Sequence, residues 1–344
     1  MTRALRLAGL GEGLVSPNPL VGAVVVQEGC IVGEGFHQFA LVRHAESYAL
    51  EMAGPRARGA ALYCNLEPCC HHGRTWPCAD SIIEAGIGRV VVAIKDPDPR
   101  VSEGGFDRLR SAGIGVNVGL MSEEACRLNE IYLKQTLSGQ PFVHSVSGAA
   151  RHCSDGSRAG GLPIGWVPSA ELRRLVRRYD MLVLGDSPAA NEAISGEYLA
   201  LSRHRKPIIV GRTEAVNQVR TEAGLNRQSE VAFVPLDDLG IPDSEAHAGD
   251  NRECNSGRQE SISLEQLVAA VPVERVTSIL VLAGPVRISE DLDQYDKVTL
   301  VLDEKEGVEA QHRDAGARGQ PRLLEVERWE SSGFTEISGY PSRV

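Results

Sequence analysis

His44 and Glu46 stand two residues apart, and Pro68-Cys69 and then Cys78 follow at a domain-like interval. An imidazole and two thiols are zinc ligands by type. Zinc favours about four ligands, and a catalytic site keeps one position for water, so His44, Cys69 and Cys78 would supply three. Water held in such a position loses a proton more easily, with a pKa of roughly 7 in favourable sites. The chemistry then needs a carboxylate that relays protons without binding the metal, and Glu46 sits beside His44 as that role requires. A structural zinc site is the competing reading. It would want a fourth protein ligand, for which Cys70, His71 and His72 are at hand.

The bulk properties narrow the partners. The chain has 344 residues, enough for two domains of ordinary size. At 42% hydrophobic and 24% charged residues it is globular in composition. A net charge of −10 disfavours non-specific nucleic-acid binding, which leans on basic patches, and favours a small-molecule substrate. Four of the eight cysteines fall within residues 64–78, which suits a metal site better than a disulfide framework. Residues 1–10 show no long apolar segment of the secretory kind. The apolar run Leu20–Val26 is far below the roughly 20 residues needed to span a bilayer. The expected location is cytoplasmic, away from membranes.

These residues need elements to hold them. Ala4, Leu5, Leu7, Ala8 and Leu10 are spaced for a first helix over residues 2–10. Ser16-Pro17-Asn18-Pro19 reads as a turn, and Ala23–Val26 with Ile31–Gly35 as a hairpin around Glu28-Gly29. The spacing predicts a helix over His44–Met52, with the histidine in its first turn, and a strand over Gly59–Cys64 leading to Glu67-Pro68-Cys69. Helices over Cys78–Glu84 and Phe106–Ala112, strands over Arg89–Ile94 and Ile114–Val118, and one helical connector over Leu120–Leu137 complete this half. A hairpin followed by alternating strands and helices implies a three-layer α/β sheet with the metal ligands near two helix N-termini. Those termini would favour thiolate at Cys69 and Cys78. Gly139-Gln140-Pro141 marks a boundary, giving domains over 1–140 and 141–344. The second half reads as a further α/β unit: strands over 142–146, 181–184, 207–210, 231–234, 278–282, 298–302 and 323–326, and a helix over 170–179. Residues 236–262 read as an exposed loop and 304–320 as a charged, glycine-containing one.

The order His-x-Glu, then Pro-Cys with a second cysteine, matches the general signature of zinc-dependent nucleobase deaminases. The chain resembles, more narrowly, the riboflavin-biosynthesis deaminase–reductase family. The resemblance rests on Pro17-Asn18-Pro19-Leu20-Val21-Gly22-Ala23-Val24, on Gly33-Glu34-Gly35-Phe36-His37 followed by His44-Ala45-Glu46, on Asp96-Pro97-Asp98-Pro99-Arg100-Val101, and on Leu128-Asn129-Glu130. The eight residues between Cys69 and Cys78 are its most telling feature, because the general signature has only two there. The resemblance implies a cytidine-deaminase-like α/β/α domain followed by a dihydrofolate-reductase-like α/β domain. It implies Zn2+ as cofactor and a phosphorylated pyrimidine ribotide as substrate. Asn18 and His37 would then touch the pyrimidine or ribose, His71 and Arg74 the ribose-phosphate end, and Asp96 and Asp98 the pocket wall. Arg74 also suits phosphate on its own chemistry, since a guanidinium binds it bidentately. Asp98 stands where the family carries Asn, so it could equally serve a turn.

The second half matches the family poorly. Val146 falls near the position of a family Lys, Ser154-Asp155-Gly156 arrives late, and Trp166 resembles a substrate-loop Trp. Pro188 and Glu192 replace the Thr and Asp of the cofactor loop, and Leu282-Ala283-Gly284 replaces Glu-Gly-Gly. Glycines let backbone approach a pyrophosphate, but a Leu cannot replace a carboxylate. The expectation is a reductase-like half without NADPH chemistry, with NADPH as cofactor only if that half is active. The arginines Arg173, Arg174, Arg177 and Arg178 read as a solvated helix face. The leading function is hydrolytic deamination of the ribotide in riboflavin biosynthesis. The alternatives are a bifunctional deaminase and NADPH-dependent reductase, a non-catalytic deaminase-fold partner protein, and a nucleoside or tRNA deaminase. A homo-oligomer is expected, with a separate reductase as a partner if the second half is inactive.

Overall fold

The structure is a computed structural model that describes residues 1–38, 43–71, 75–148, 175–184, 208–222, 232–235, 267, 276–282, 295–303, 323–331 and 334–341. Contacts divide the chain between Gln140 and Pro141 into two compact units.

The first unit is built on a five-stranded sheet. Its strands are β1 (Gly22–Gln27), β2 (Cys30–Phe36), β3 (Ala61–Leu66), β4 (Arg89–Ile94) and β5 (Gly115–Val118), in the order β2-β1-β3-β4-β5. β1 and β2 form the expected hairpin. Glu28 and Gly29 both have positive φ, 51° and 78°, as a two-residue turn matching strand twist requires. β1 is antiparallel to β3, and β3, β4 and β5 run parallel.

Period-two alternation puts helices on both faces. Ala23, Val25, Leu62, Cys64, Val90 and Val92 pack toward α2 (Ala45–Ala53), α3 (Cys78–Glu84) and α4 (Gly104–Ser111). Val24 packs on the opposite face against Ala4 and Leu7 of α1 (Thr2–Gly9). Ala93 packs with Ala125 of α5 (Ser122–Leu128). This is the three-layer α/β arrangement that the strand and helix order implies.

α2 lies directly on the backbone of β2. A Cβ at Gly33 would stand 2.0 Å from the Ala49 carbonyl oxygen, and one at Gly35 would stand 2.3 Å from that of Ala45. Only hydrogen fits between strand and helix at those points, so α2 is seated at one height along the sheet.

Two expectations are corrected. His44 is the residue before α2, with extended backbone (φ −82°, ψ 158°), and is not inside the first turn. The connector is two helices, α5 and α6 (Glu130–Ser138), parted at Asn129. Asn129 is buried and leaves helical geometry (φ −103°, ψ 18°) while its amide bonds both backbone groups of Leu20. Tertiary hydrogen bonding overrides local helix propensity there.

The second unit holds an eight-stranded sheet, β12-β13-β11-β6-β10-β7-β8-β9. Its strands are β6 (Phe142–Gly148), β7 (Met181–Val183), β8 (Ile208–Gly211), β9 (Ala232–Pro235), β10 (Ser278–Leu282), β11 (Lys297–Asp303), β12 (Leu323–Ser331) and β13 (Phe334–Pro341). The run from β11 to β9 is parallel, and β12 and β13 close one edge antiparallel. Sequence reading missed β13 and the helix α7 (Thr213–Glu222). Residues 175–177 are helical. The start of that helix with Arg173 and Arg174, and the loops 236–262 and 304–320, lie outside the described residues, as do Ser154-Asp155-Gly156, Trp166, Pro188, Glu192, Ala283 and Gly284. Among the described residues, no helix is long and apolar enough to cross a membrane.

Gly33→Ala is expected to lower the unfolding free energy by about 1–3 kcal/mol, because helix and strand must separate. Urea denaturation followed by circular dichroism checks this, and an unchanged midpoint would contradict the close contact.

Candidate zinc centre and substrate cavity

β3 ends at Leu66, and Glu67-Pro68 turns the chain so that Cys69 meets the start of α3. The Cys69 sulfur accepts a hydrogen bond from the Cys78 amide at 3.3 Å, and the Cys69 carbonyl accepts one from the Ala79 amide at 3.0 Å. The preceding Pro77 offers no side-chain cap, so Cys69 satisfies amides at this helix start that would otherwise lack partners. His44, just ahead of α2, brings Nδ1 to 3.1 Å from the Cys78 sulfur and 3.5 Å from that of Cys69. The ligand atoms of all three residues lie within 4.8 Å of one another. The His44 Nε2 faces the Thr75 hydroxyl at 3.4 Å, the outward contact that fixes the ring of a metal-bound histidine.

The protonation of this group shows what it is built for. The Cys69 thiol falls to about 4, chiefly because Cys78 donates to its sulfur. Cys78 is pushed well above the usual thiol range by that same hydrogen bond and by burial. His44 is raised by its hydrogen bond to Cys69. One nitrogen and two sulfurs thus share protons at a single point, where a borderline-soft dication would replace them. This donor set fits zinc. Neither described candidate for a fourth ligand joins it. The Cys70 sulfur lies 3.9 Å from each of the Arg100 and Val101 carbonyl oxygens, and His71 is exposed. His72 lies outside the described residues.

Glu46, in the first turn of α2, is 3% exposed, and burial raises its carboxyl above the usual range. It opens with His44 and Cys69 into a cavity of about 520 Å³. Asn18, His37, His71, Asp96 and Asp98 line the same cavity, so the structure brings these candidates together. Arg74 is outside the described residues.

Hydrogen bonding fixes several roles. The His37 Nδ1 lies 3.0 Å from the Arg43 carbonyl oxygen, which can only accept, so Nδ1 carries the hydrogen. Nε2 then accepts from the Asn18 Nδ2 at 3.2 Å, which leaves the Asn18 side-chain oxygen as the atom offered to a ligand. Burial lowers the His37 pKa and keeps this ring neutral. Asp96 accepts from the Tyr132 hydroxyl at 2.8 Å and from the Asp98 amide at 2.9 Å, and burial raises its pKa. Asp98 accepts the Arg100 amide and guanidinium, so its carboxylate does serve the turn.

Four supporting residues were not legible as such. Glu67 is buried and accepts from the amides of Asp96, Gly105 and Phe106, tying the cysteine loop to the Asp96 loop and the start of α4. Tyr132 lines the cavity from α6. Asn65 and Asn129 together hold the backbone around Leu20: Asn65 accepts from the Gly22 amide and donates to the Leu20 carbonyl, which Asn129 also reaches. Their partners lie about 30 to 110 residues away in sequence, beyond any local pattern.

The comparisons now have a geometry to rest on. The family model described as the cytidine and deoxycytidylate deaminase zinc-binding region matches residues 1–94. The diaminohydroxyphosphoribosylamino-pyrimidine deaminase of Buchnera aphidicola is 49% identical over 141 residues, which are 41% of this chain and 96% of that protein. The chain belongs to the riboflavin-biosynthesis deaminase/reductase family. The family's riboflavin biosynthesis protein RibD from Escherichia coli is 47% identical over 177 residues, 52% of this chain and 48% of that protein, so the match spans about half its length. The solved deaminase/reductase of Thermotoga maritima aligns over 99% of this chain and 97% of its own, with a TM-score of 0.69 and 27% identity. RibD of Acinetobacter baumannii aligns over 99% and 98%, at 0.68 and 25%. Deaminase-like and reductase-like parts in that order agree with the fold class read from the sequence.

Protein purified in reducing buffer is expected to carry about one zinc per chain by elemental analysis. Cys78→Ser should drop well below that, and full occupancy in this variant would remove Cys78 from the ligand set.

Proposed function

We propose that the first unit deaminates diaminohydroxyphosphoribosylaminopyrimidine to the corresponding aminouracil ribotide by hydrolysis. The observation that carries this reading is a buried carboxyl, Glu46, in a cavity that also exposes His44 and Cys69, two of the three converging zinc donors. The name of the Buchnera relative, which this chain covers almost entirely, supports the substrate.

His44 through Nδ1, with Cys69 and Cys78, would hold the metal. Zinc, when bound, supplies Lewis acidity and eases deprotonation of water. A Glu46 oxygen takes the proton from the attacking water and returns it to the departing amine, so that C–NH2 and water become C=O and ammonia. Burial raises the Glu46 carboxyl above its ordinary range, which makes it a better proton acceptor than a solvated carboxylate. The Asn18 oxygen accepts from a ring N–H or amine, and neutral His37 holds the Asn18 amide in that orientation. Asp96, fixed by Tyr132, offers a second acceptor. The acidic balance of the chain speaks against an RNA substrate, and the shared cavity speaks against a non-catalytic scaffold.

One observation favours a deaminase without a working reductase. Val146 falls near the position of a family Lys, and Leu282 stands where the resemblance has a Glu. They are register partners on the adjacent parallel strands β6 and β10, both with 0% exposure. An apolar pair fills this spot in the sheet, and neither side chain can supply the charge that the resemblance calls for.

Glu46→Gln is expected to keep its zinc and lose turnover by about 10²–10⁴-fold in an ammonia-release assay. Persisting turnover would remove Glu46 as the proton carrier. With the deaminated ribotide, NADPH absorbance should fall no faster than in buffer. Substrate-dependent oxidation would establish the bifunctional reading instead.

A further inference from the structure

Two acceptors in the cavity wall, the Asn18 side-chain oxygen and the Asp96 carboxylate, come from loops far apart in sequence. The start of α6 reaches both loops. Asn129, its N-cap residue, bonds the Leu20 amide at 2.8 Å and the Leu20 carbonyl at 3.0 Å, two residues beyond Asn18. Tyr132, three residues on, donates its hydroxyl to Asp96 at 2.8 Å. Tyr132 and Thr136 stand one helical turn apart, and both line the cavity.

The bonding of Asp96 is one-sided. The Tyr132 hydroxyl and the Asp98 amide, the latter at 2.9 Å, both donate to the same oxygen, Oδ1. Each carboxylate oxygen offers about two lone pairs, so Oδ1 is filled. Oδ2 makes no hydrogen bond to a described residue. The direction of the Tyr132 bond is fixed as well. Burial and the neighbouring Asp96 push this phenol up, so it keeps its proton and is the donor. On Asp96, burial and the nearby Asp98 and Cys69 favour the protonated acid, while the Asp98 amide and the Tyr132 hydroxyl favour the carboxylate. Arg100 also lies near enough to favour the anion. The tyrosine hydroxyl therefore does two things for one side chain: it orients the carboxylate and it supports the form that accepts hydrogen bonds.

We propose that Tyr132 is a positioning residue for the deamination: by occupying Oδ1 it fixes the Asp96 carboxylate so that Oδ2 accepts from an N–H or O–H of the bound ribotide. This rests on the ribotide deaminase reading. It assigns to α6 the control of how tightly a donor-bearing ligand is held, apart from the metal donors and Glu46, which act at the reacting carbon.

The test uses the zinc-loaded full chain. Tyr132→Phe keeps the ring and removes only the hydroxyl. It should raise KM for the ribotide about 10-fold, the lower end for a lost hydrogen bond to a charged group, with kcat within about twofold of wild type. An unchanged KM, or a kcat loss at constant KM, would overturn the proposal. A double-mutant cycle distinguishes positioning from a merely structural role. With Asp96→Ala already in place the carboxylate is gone, so adding Tyr132→Phe should leave KM where it is. A further increase of the same size would show that the hydroxyl acts elsewhere, and the proposal would fail. Carbon-13 NMR of the Asp96 carboxyl in the ligand-free chain reads the bond without turnover. Tyr132→Phe should move its titration to higher pH, because the lost hydrogen bond is one that lowers the pKa. An unmoved titration would refute the held carboxylate. A moved titration in a chain that releases no ammonia from the ribotide would instead sink the deaminase reading and leave the Tyr132–Asp96 contact standing.

Discussion

Three donor atoms that would each rather keep a proton or a water shell are held within 4.8 Å of one another. Crowding of that kind is unfavourable unless rigid backbone imposes it, and the surrounding structure can be understood as that imposition. α3 begins on Cys78 and is capped by Cys69, so two sulfurs are fixed by one helix start. The third donor comes from the residue before α2, a helix pressed onto β2 at two glycines. Glu46 shares the first turn of that helix, so the geometry that positions the imidazole also buries the carboxyl beside it.

The cavity depends on a second layer of hydrogen bonds that the sheet does not supply. Glu67 ties the cysteine loop to the Asp96 turn and to α4. Asn65 and Asn129 share the Leu20 carbonyl and so hold the loop that carries Asn18. Each is a buried polar side chain with its partners in place, the condition under which such groups specify one arrangement. The substrate-facing residues, by contrast, keep acceptors or donors to spare.

How far the sequence shows all this follows from range. His44, Glu46, Cys69 and Cys78 announce themselves because their chemistry is unusual and their order is fixed. The bounds of α3 and β4 were readable to the residue, since Gly86 stops the helix and an unbroken apolar run marks the strand. Asn129 was read as part of one connector helix because nothing within ten residues shows that its amide is committed to Leu20. Glu67 passed as a link before Pro68-Cys69 for the same reason. In the second unit, α7 and β13 were missed, since the local apolar pattern there is weak and packing decides. Asp98 was read both as a pocket wall and as a turn residue, and it is both.

The metal donors and Glu46 are all in place by residue 78, but Tyr132, Gln135 and Thr136 still line the cavity, and Asn129 still holds its lip. The part of the chain that can grip an ion is thus much shorter than the part that can recognise a molecule. A fragment cut after β4 would keep the ligands yet present an open, unshaped floor. The last helix, α6, thus completes a cavity whose other walls, Asn18, His37 and Asp96 among them, are already laid down by the sheet and its loops.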